Sequence, residues 1–101
     1  MNLNSKSRAL TSYPRDIIKR VTGQYEADAI GQVHLWLEDL AQFEDPGSFR
    51  LARCALFLAD GSISRLEMAV KKGLTDFRDL VVAAEYDRGD NRVRDLGLPF
   101  P

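Results

Sequence analysis

Cysteine and histidine are nearly absent from this sequence, which contains one of each, Cys54 and His34. A single cysteine cannot form an intrachain disulfide, and structural zinc takes four ligands drawn mostly from these two residue types. The sequence also lacks a Gly-rich phosphate loop, an EF-hand loop and a GxSxG turn. We therefore expect no disulfide framework, no metal site and no bound cofactor.

An excess of charge of either sign and long hydrophobic runs are missing as well. The 14 basic and 15 acidic residues leave a net charge of −1, so the field of the whole molecule favours neither nucleic acid nor a membrane. No apolar stretch is long enough to span a membrane, and no secretory signal segment is recognisable. The sequence predicts a cytoplasmic protein without a membrane partner.

The charges are unevenly distributed despite this balance. Residues 1–23 carry five lysines and arginines against one acid, whereas residues 24–49 carry six acids and no lysine or arginine. The second segment is therefore expected to present an acidic surface.

Alternating β-strand patterns and internal repeats are absent, and helical periodicity takes their place. A length of 101 residues with an apolar fraction of 45% fits one globular domain. Apolar side chains three and four positions apart predict an all-α, compact bundle of four to five helices. We divide the chain into a flexible N-terminal arm at residues 1–12, a single helical domain at 13–95 and an apolar C-terminal tail at 96–101.

The strongest periodic signal lies in the middle of the first half of the chain. Ile30, Val33, Leu37 and Leu40 recur at helical spacing and predict a long amphipathic helix. Gly31 interrupts this helix at a cost of about 1 kcal/mol relative to alanine. Either another helix crosses closely at Gly31 or the helix is weakened there.

The most apolar helix is predicted near residues 46–60, with Asp45 as its N-cap and Gly61 closing it. Its second half is apolar on nearly every side, which is typical of a buried helix. Arg50 and Arg53 mark its only solvent-facing edge. We therefore place this helix at the centre of the bundle.

Two shorter helices are predicted after the central one. Ser62 or Ser64 caps the first of them, which ends at Gly73. Thr75 caps the second, which is the fifth helix of the chain, because the segment YPRDIIKRVTG predicts a short first helix that Gly23 can cap.

The segments RCALFLADG and DFRDLVVAAEY fall within the third of the chain from Arg53 to Asp87. In these segments the chain resembles a group of small bacterial helical proteins of unknown function. The resemblance implies a helical fold and a bacterial source. It assigns no activity and no site residue.

Few residues are candidates for catalysis. Cys54 lies in the apolar half of the central helix, where burial raises the pKa of a thiol and makes it inert. His34 shares a helix face with Glu38, but two ligands make no metal site. We interpret these residues as structural, assign no catalytic residue and expect a protein that is not an enzyme.

A polar cluster of Glu85, Arg78 and Arg53 offers an alternative, a small ligand-binding protein or enzyme. Glu85 lies near the end of the fifth helix between Ala84 and Tyr86, where a partly buried carboxylate needs a cation or hydrogen-bond donors. Arg78, two turns earlier, would lie on the same side. We predict that Glu85 is tied to an arginine or to backbone N–H groups.

Surplus apolar surface supports the function that we expect first. Several large side chains lie outside the inward stripes or in the tail, and one small bundle has difficulty covering them. Homodimerisation is the commonest solution for soluble domains with such a surplus. We therefore expect a non-enzymatic protein that acts through a protein–protein surface, by self-association or with another protein. The candidate interface consists of Leu35, Trp36, Val82, Tyr86 and Phe100.

A nucleic-acid-binding regulator is the second alternative. The segment ADGSISRLEMAVKKG has a small turn and a basic helix end, where Arg65, Lys71 and Lys72 could contact phosphates. Glu67 interrupts that face, and a basic stripe with interleaved aromatics is missing. A nucleic-acid partner is therefore not expected.

Overall fold

Five α-helices make up most of residues 9–45 and 47–101, the parts of the chain that this computed structural model describes. Residues 1–8 of the predicted arm, together with Pro46, lie outside the described residues. The described ranges contain no strand and one isolated antiparallel bridge. The predicted all-α bundle is confirmed. Its helices are α1 (Arg15–Gln24), α2 (Ala27–Ala41), α3 (Arg50–Ala59), α4 (Ile63–Thr75) and α5 (Phe77–Glu85), preceded by a short 3-10 helix at Leu10–Ser12.

Helix α3 is the centre of the bundle, where it contacts each of the other four helices. The predicted central helix is thus confirmed, but it begins later than predicted, at Arg50. Gly47 has a φ angle of 90°, which is incompatible with a helix. The Glu44 carboxylate accepts a hydrogen bond from the Leu51 N–H at 2.8 Å and so caps the first turn. The prediction that Asp45 caps this helix is wrong.

The junction between α4 and α5 also differs from the sequence prediction. Ser62 caps α4 as one of the two candidates, but the helix continues through Gly73 to Thr75. Asp76 then caps α5 by accepting a hydrogen bond from the Arg78 N–H at 3.0 Å. The predicted helix end at Gly73 and the predicted cap at Thr75 are both wrong.

Two glycines inside helices have opposite surroundings. A Cβ atom at Gly73 would lie 2.7 Å from Cδ2 of Leu40 and 2.8 Å from Cδ2 of Leu80, so this glycine allows α4 to pack closely on α2 and α5. A Cβ atom at Gly31 would meet nothing within 4 Å. None of the described helices crosses closely at Gly31, so we expect this glycine only to weaken α2 locally.

Side chains from both predicted flanking segments pack on the helical core. Leu10, inside the predicted arm, and Phe100, inside the predicted tail, are half-buried against it. Leu96 is buried, whereas Leu98 is exposed. The position of the tail therefore depends on what holds Leu96 and Phe100 in place.

Candidate functional site

Glu85, the last residue of α5, is fully buried and is the centre of a polar network. Its Oε2 accepts hydrogen bonds from Nε of Arg50 at 2.8 Å and from the Leu96 N–H at 3.0 Å. Its Oε1 accepts from Nη2 of Arg50 at 2.5 Å and from Nε of Arg92 at 3.0 Å. The prediction that Glu85 is tied to an arginine or to backbone N–H groups is confirmed, since it binds both.

The chain after α5 turns back on itself and stays attached to this glutamate. Tyr86 and Arg92 form the isolated bridge, and the Val93 N–H donates to the carbonyl oxygen of Glu85 at 2.8 Å. Arg92 also pairs with Asp95 at 3.0 Å. The turn therefore delivers Arg92 and Leu96 to the same carboxylate from one short segment.

A second buried ion pair holds the end of the tail. Arg53 on α3 binds Asp16 on α1 through two hydrogen bonds, of 2.8 Å and 3.2 Å. Asp16 also accepts from the Phe100 N–H at 3.0 Å, and Nη1 of Arg53 donates to the carbonyl oxygens of Leu96 and Gly97. Both carboxylates thus anchor the tail, and their ion pairs meet at the backbone of Leu96. We call Glu85 and Asp16 the anchoring carboxylates.

Of the predicted polar cluster, the structure brings Glu85 and Arg53 to the backbone of Leu96 but leaves Arg78 outside it. Arg78 is exposed at the start of α5 and pairs with Asp76 at 3.1 Å. Two helical turns separate it from Glu85, a rise of about 10 Å, and Arg50 from α3 fills the position that was assigned to it. Arg53 is buried, so its assignment to a solvent-facing edge is wrong. Its charge is neutralised by Asp16 and is therefore tolerated inside the protein.

The anchoring carboxylates are arranged to hold structure, not to transfer protons. Four donors occupy both oxygens of Glu85, which uses the full acceptor capacity of a carboxylate. The hydrogen bond from Arg50 lowers the pKa of Glu85, and it outweighs the effect of burial. Burial raises the pKa of Asp16, but the hydrogen bonds from Arg53 and Phe100 outweigh it and leave the pKa below its ordinary value. A general base would need a free lone pair and a pKa closer to neutrality.

These lowered pKa values predict acid sensitivity. A carboxylate whose pKa is lower in the folded state adds stability above its unfolded pKa of about 4, and this stability is lost as the pH falls through the folded value. We expect the free energy of unfolding to fall below about pH 4, by at most about 1.4 kcal/mol per pH unit for each group. Urea denaturation at successive pH values measures this. In the Glu85→Gln, Asp16→Asn double variant, the free energy of unfolding should depend less steeply on pH. An unchanged pH dependence would contradict the lowered pKa values of these two carboxylates.

The other two candidates for chemistry are structural in this fold. Cys54 is buried, and burial raises the pKa of its thiol to about 12. The His34 ring lies edge-on to Tyr13, with 5.8 Å between the ring centroids.

The predicted interface residues differ in how far their side chains are exposed, and they do not form one exposed surface. Leu35 on α2 and Val82 on α5 are exposed, whereas Trp36 and Phe100 are half-buried against the core of their own chain. Tyr86 is half-buried in the bridge that follows α5.

A different group of apolar side chains forms a continuous surface at one end of the bundle. Phe43, just beyond α2, stacks on Phe77 at the start of α5 with 6.2 Å between the ring centroids. Both rings remain exposed, to 41% and 42%, and Leu74 beside them is 37% exposed. We call this group, with the half-buried Val81, the Phe43 surface.

Two depressions flank the stacked rings. One, of about 400 Å³, includes Leu74, Asp76 and Arg78 in its lining. The other, of about 210 Å³, includes Glu44, Asp45 and Val81. Both depressions have Phe43 and Phe77 in their walls.

Sequence reasoning missed this surface because it lies at helix ends. Phe43 and Phe77 fit the apolar stripes of α2 and α5, and a stripe predicts an inward face. At the end of a bundle no neighbouring helix covers that face. The available signal in the sequence was that these two phenylalanines lie beside helix boundaries, where a neighbouring helix does not cover them.

Metal-binding and membrane-spanning features are absent from the described ranges. No group of three or more His, Cys, Asp or Glu side chains there could hold a metal ion. None of the helices described is long and apolar enough to cross a membrane. No family model, curated protein or solved structure matches this chain, so the resemblance to small bacterial helical proteins stays a prediction.

Proposed function

We propose that this chain is a protein-interaction domain that forms a homodimer through the Phe43 surface. The proposal rests on the stacked, half-exposed pair of Phe43 and Phe77 with a depression on each side. Large aromatic side chains beside pockets are the usual anchors of protein interfaces. Leaving them in water costs free energy that burial against a partner would recover.

Charge favours a second copy of the chain as the partner. The one exposed charged side chain is Arg78 in the lining of one depression and Asp45 in the lining of the other. The other charged side chains that line them are half-buried and bonded within the chain: Asp76, Glu44 and Arg50. In a two-fold dimer, a residue on one side of the axis contacts the partner's copy of a residue that lies on the opposite side, and this contact occurs twice. An axis through the stacked rings would therefore place Arg78 of each copy against Asp45 of its partner. Such a contact would make the surface complementary to itself.

The surroundings of these two charges support such a contact. Asp45 forms no ion pair in the part of the chain that the structure describes, and its carboxylate is available. Arg78 pairs with Asp76 but is 77% exposed, so its guanidinium can bind a second carboxylate. The surface is small, and we expect a dissociation constant on the order of 10–100 μM.

Substituting Phe77 with aspartate is expected to abolish dimerisation. An aspartate at this position suits the N-terminus of α5, so the helix itself should be preserved. Loss of an aromatic anchor typically weakens an interface by about 2 kcal/mol or more, which is about 30-fold in the dissociation constant. Sedimentation velocity over a range of concentrations around the dissociation constant measures the effect.

Two exposed apolar residues outside the Phe43 surface serve for comparison. Met68→Asp on α4 is the matched control and should leave the dimer intact. Val82→Asp on α5 should weaken the dimer less than Phe77→Asp, although Val82 lies one helical turn after Arg78 and an aspartate there competes for its guanidinium. Val82 also belongs to the interface predicted from sequence. If Val82→Asp dissociates the dimer and Phe77→Asp does not, the interface lies on that other face. A wild-type chain that stays monomeric at millimolar concentration would overturn the proposal.

A charge swap tests the orientation of the two copies. Arg78→Glu and Asp45→Lys should each weaken the dimer, because each places like charges opposite one another. The double variant restores opposite charges and should recover part of the lost affinity. Additive losses in the double variant would contradict the predicted two-fold contact.

A further inference from the structure

An open groove of about 570 Å³ lies between α1 and the end of the tail, away from the Phe43 surface. Arg15, Lys19, Arg20 and Gly23 of α1 line one side, and Phe100 contributes to the other. The tail is held there because the Phe100 N–H donates to Asp16 at 3.0 Å. The Arg20 guanidinium lies over the Phe100 ring, 4.2 Å from its centroid. The groove is thus a product of the anchored tail.

The cationic side chains of this groove have few anionic side-chain partners among the described residues. Arg15 and Lys19 form no ion pair within the described residues. Arg20 lies 4.0 Å from Asp60, at the outer limit of an ion pair, and its buried Nε has no acceptor in the described part of the chain. The lining also includes Asp16, but its carboxylate is already bound by Arg53 and the tail. Three cationic side chains therefore face one concave space, although the whole chain has a net charge of −1.

Gly23 keeps one wall of the groove open. It lies in the last turn of α1 without a positive φ angle, and the C-cap of this helix is Tyr25, which is extended, so Gly23 is not a helix cap. A Cβ atom at Gly23 would meet nothing within 4 Å. Neither backbone conformation nor packing requires glycine at this position, although glycine is a poor helix former. A larger side chain would project into the space that the cations line.

We infer that this groove binds a small molecule that carries a phosphate monoester group. A phosphate dianion offers three acceptor oxygens, which suits two guanidinium groups and one ammonium group better than a carboxylate with two oxygens. The groove volume lies within the range of small-molecule sites, about 300–1,000 Å³, and is much larger than a bare phosphate needs. The organic part of the ligand would pack against the Phe100 ring and the aliphatic stems of the arginines.

Titration of the full chain with phenyl phosphate tests this inference, with inorganic phosphate as a parallel probe. Amide chemical shifts in NMR spectra should change in α1 and the tail, with a dissociation constant of about 1 mM or tighter at low salt. Phenyl phosphate should bind more tightly than inorganic phosphate because of its apolar body. Equal binding of the two would reject an organic ligand, and no binding of either would overturn the inference.

Two variants locate the site. Lys19→Gln removes one cation and should weaken phenyl phosphate binding about 5- to 10-fold, with a smaller salt dependence. Gly23→Leu should fill the groove and weaken binding more than about 10-fold. Gly31→Leu is the matched control, because it adds the same side chain at another helical glycine with open surroundings.

The controls also separate a small ligand from a polymer. Gly31→Leu should bind phenyl phosphate like the wild type, and equal losses in the two leucine variants would overturn the inference. A single-stranded oligonucleotide serves as the polymeric probe. If it binds more tightly than phenyl phosphate and its binding survives Gly23→Leu, the cations serve a nucleic acid on the open surface and the proposed groove is rejected. Thermal unfolding of each variant verifies that it folds.

Discussion

Replacing Glu85 with alanine is expected to lower the free energy of unfolding by about 2–4 kcal/mol. The substitution removes the acceptor for Arg50, Arg92 and the Leu96 N–H at once. It also leaves a cavity where a fully buried side chain was. The loss should stay below that of an enclosed ion pair, because the two arginines are 38% and 42% exposed and can turn toward water.

Urea denaturation at neutral pH measures this loss, and an exposed acid on the same helix gives the control. Asp79→Ala removes a carboxylate from α5 where it is exposed, and we expect a change within about 0.5–1 kcal/mol, the helix-dipole contribution. Glu85→Gln keeps the shape of the side chain but not its charge. Its loss of stability should lie between those of Glu85→Ala and Asp79→Ala. If Glu85→Ala and Asp79→Ala lose the same stability, Glu85 is not an anchor.

Hydrogen exchange separates a local effect from a global one. The amides of Val93 and Leu96 are bonded to the backbone and the carboxylate of Glu85. In Glu85→Ala they should exchange faster than amides in α3, since the tail can detach while the bundle persists. Equal acceleration in the tail and in α3 would indicate that the glutamate supports the whole core and not the tail in particular.

The fold was predictable because it follows from local patterns. The apolar run from Cys54 to Ala59 predicts a buried helix by composition alone, and α3 occupies the centre. The importance of Glu85 was also predictable, because a carboxylate between Ala84 and Tyr86 near a helix end has no local partner. In both cases the physical argument needs only neighbouring residues.

The partners of these residues were not predictable in the same way. Arg50 lies 35 positions from Glu85, and Arg53 lies 37 positions from Asp16. Helical spacing places residues seven positions apart on the same side of one helix, so it favoured Arg78 as the partner of Glu85. Which arginine reaches a buried carboxylate depends on how α1, α3 and α5 pack, and no single helix specifies that.

Replacing Gly73 with valine is expected to lower the free energy of unfolding by about 1–3 kcal/mol. The Cβ atom alone would come within 3 Å of methyl groups on Leu40 and Leu80. Those methyls belong to rotatable side chains, but both leucines are fully buried and have little space to move. Valine adds two further methyl groups to the same contact. The α4 helix must therefore shift away from α2 and α5.

The same substitution at Gly31 isolates the packing effect. Gly31→Val adds an identical side chain where nothing lies within 4 Å, and valine is a slightly better helix former than glycine. We expect Gly31→Val to change stability by less than about 0.5 kcal/mol, or to raise it. Chemical denaturation of both variants should separate them by at least about 1–2 kcal/mol. Equal stabilities would mean that α4 approaches its neighbours less closely than the Gly73 contacts require.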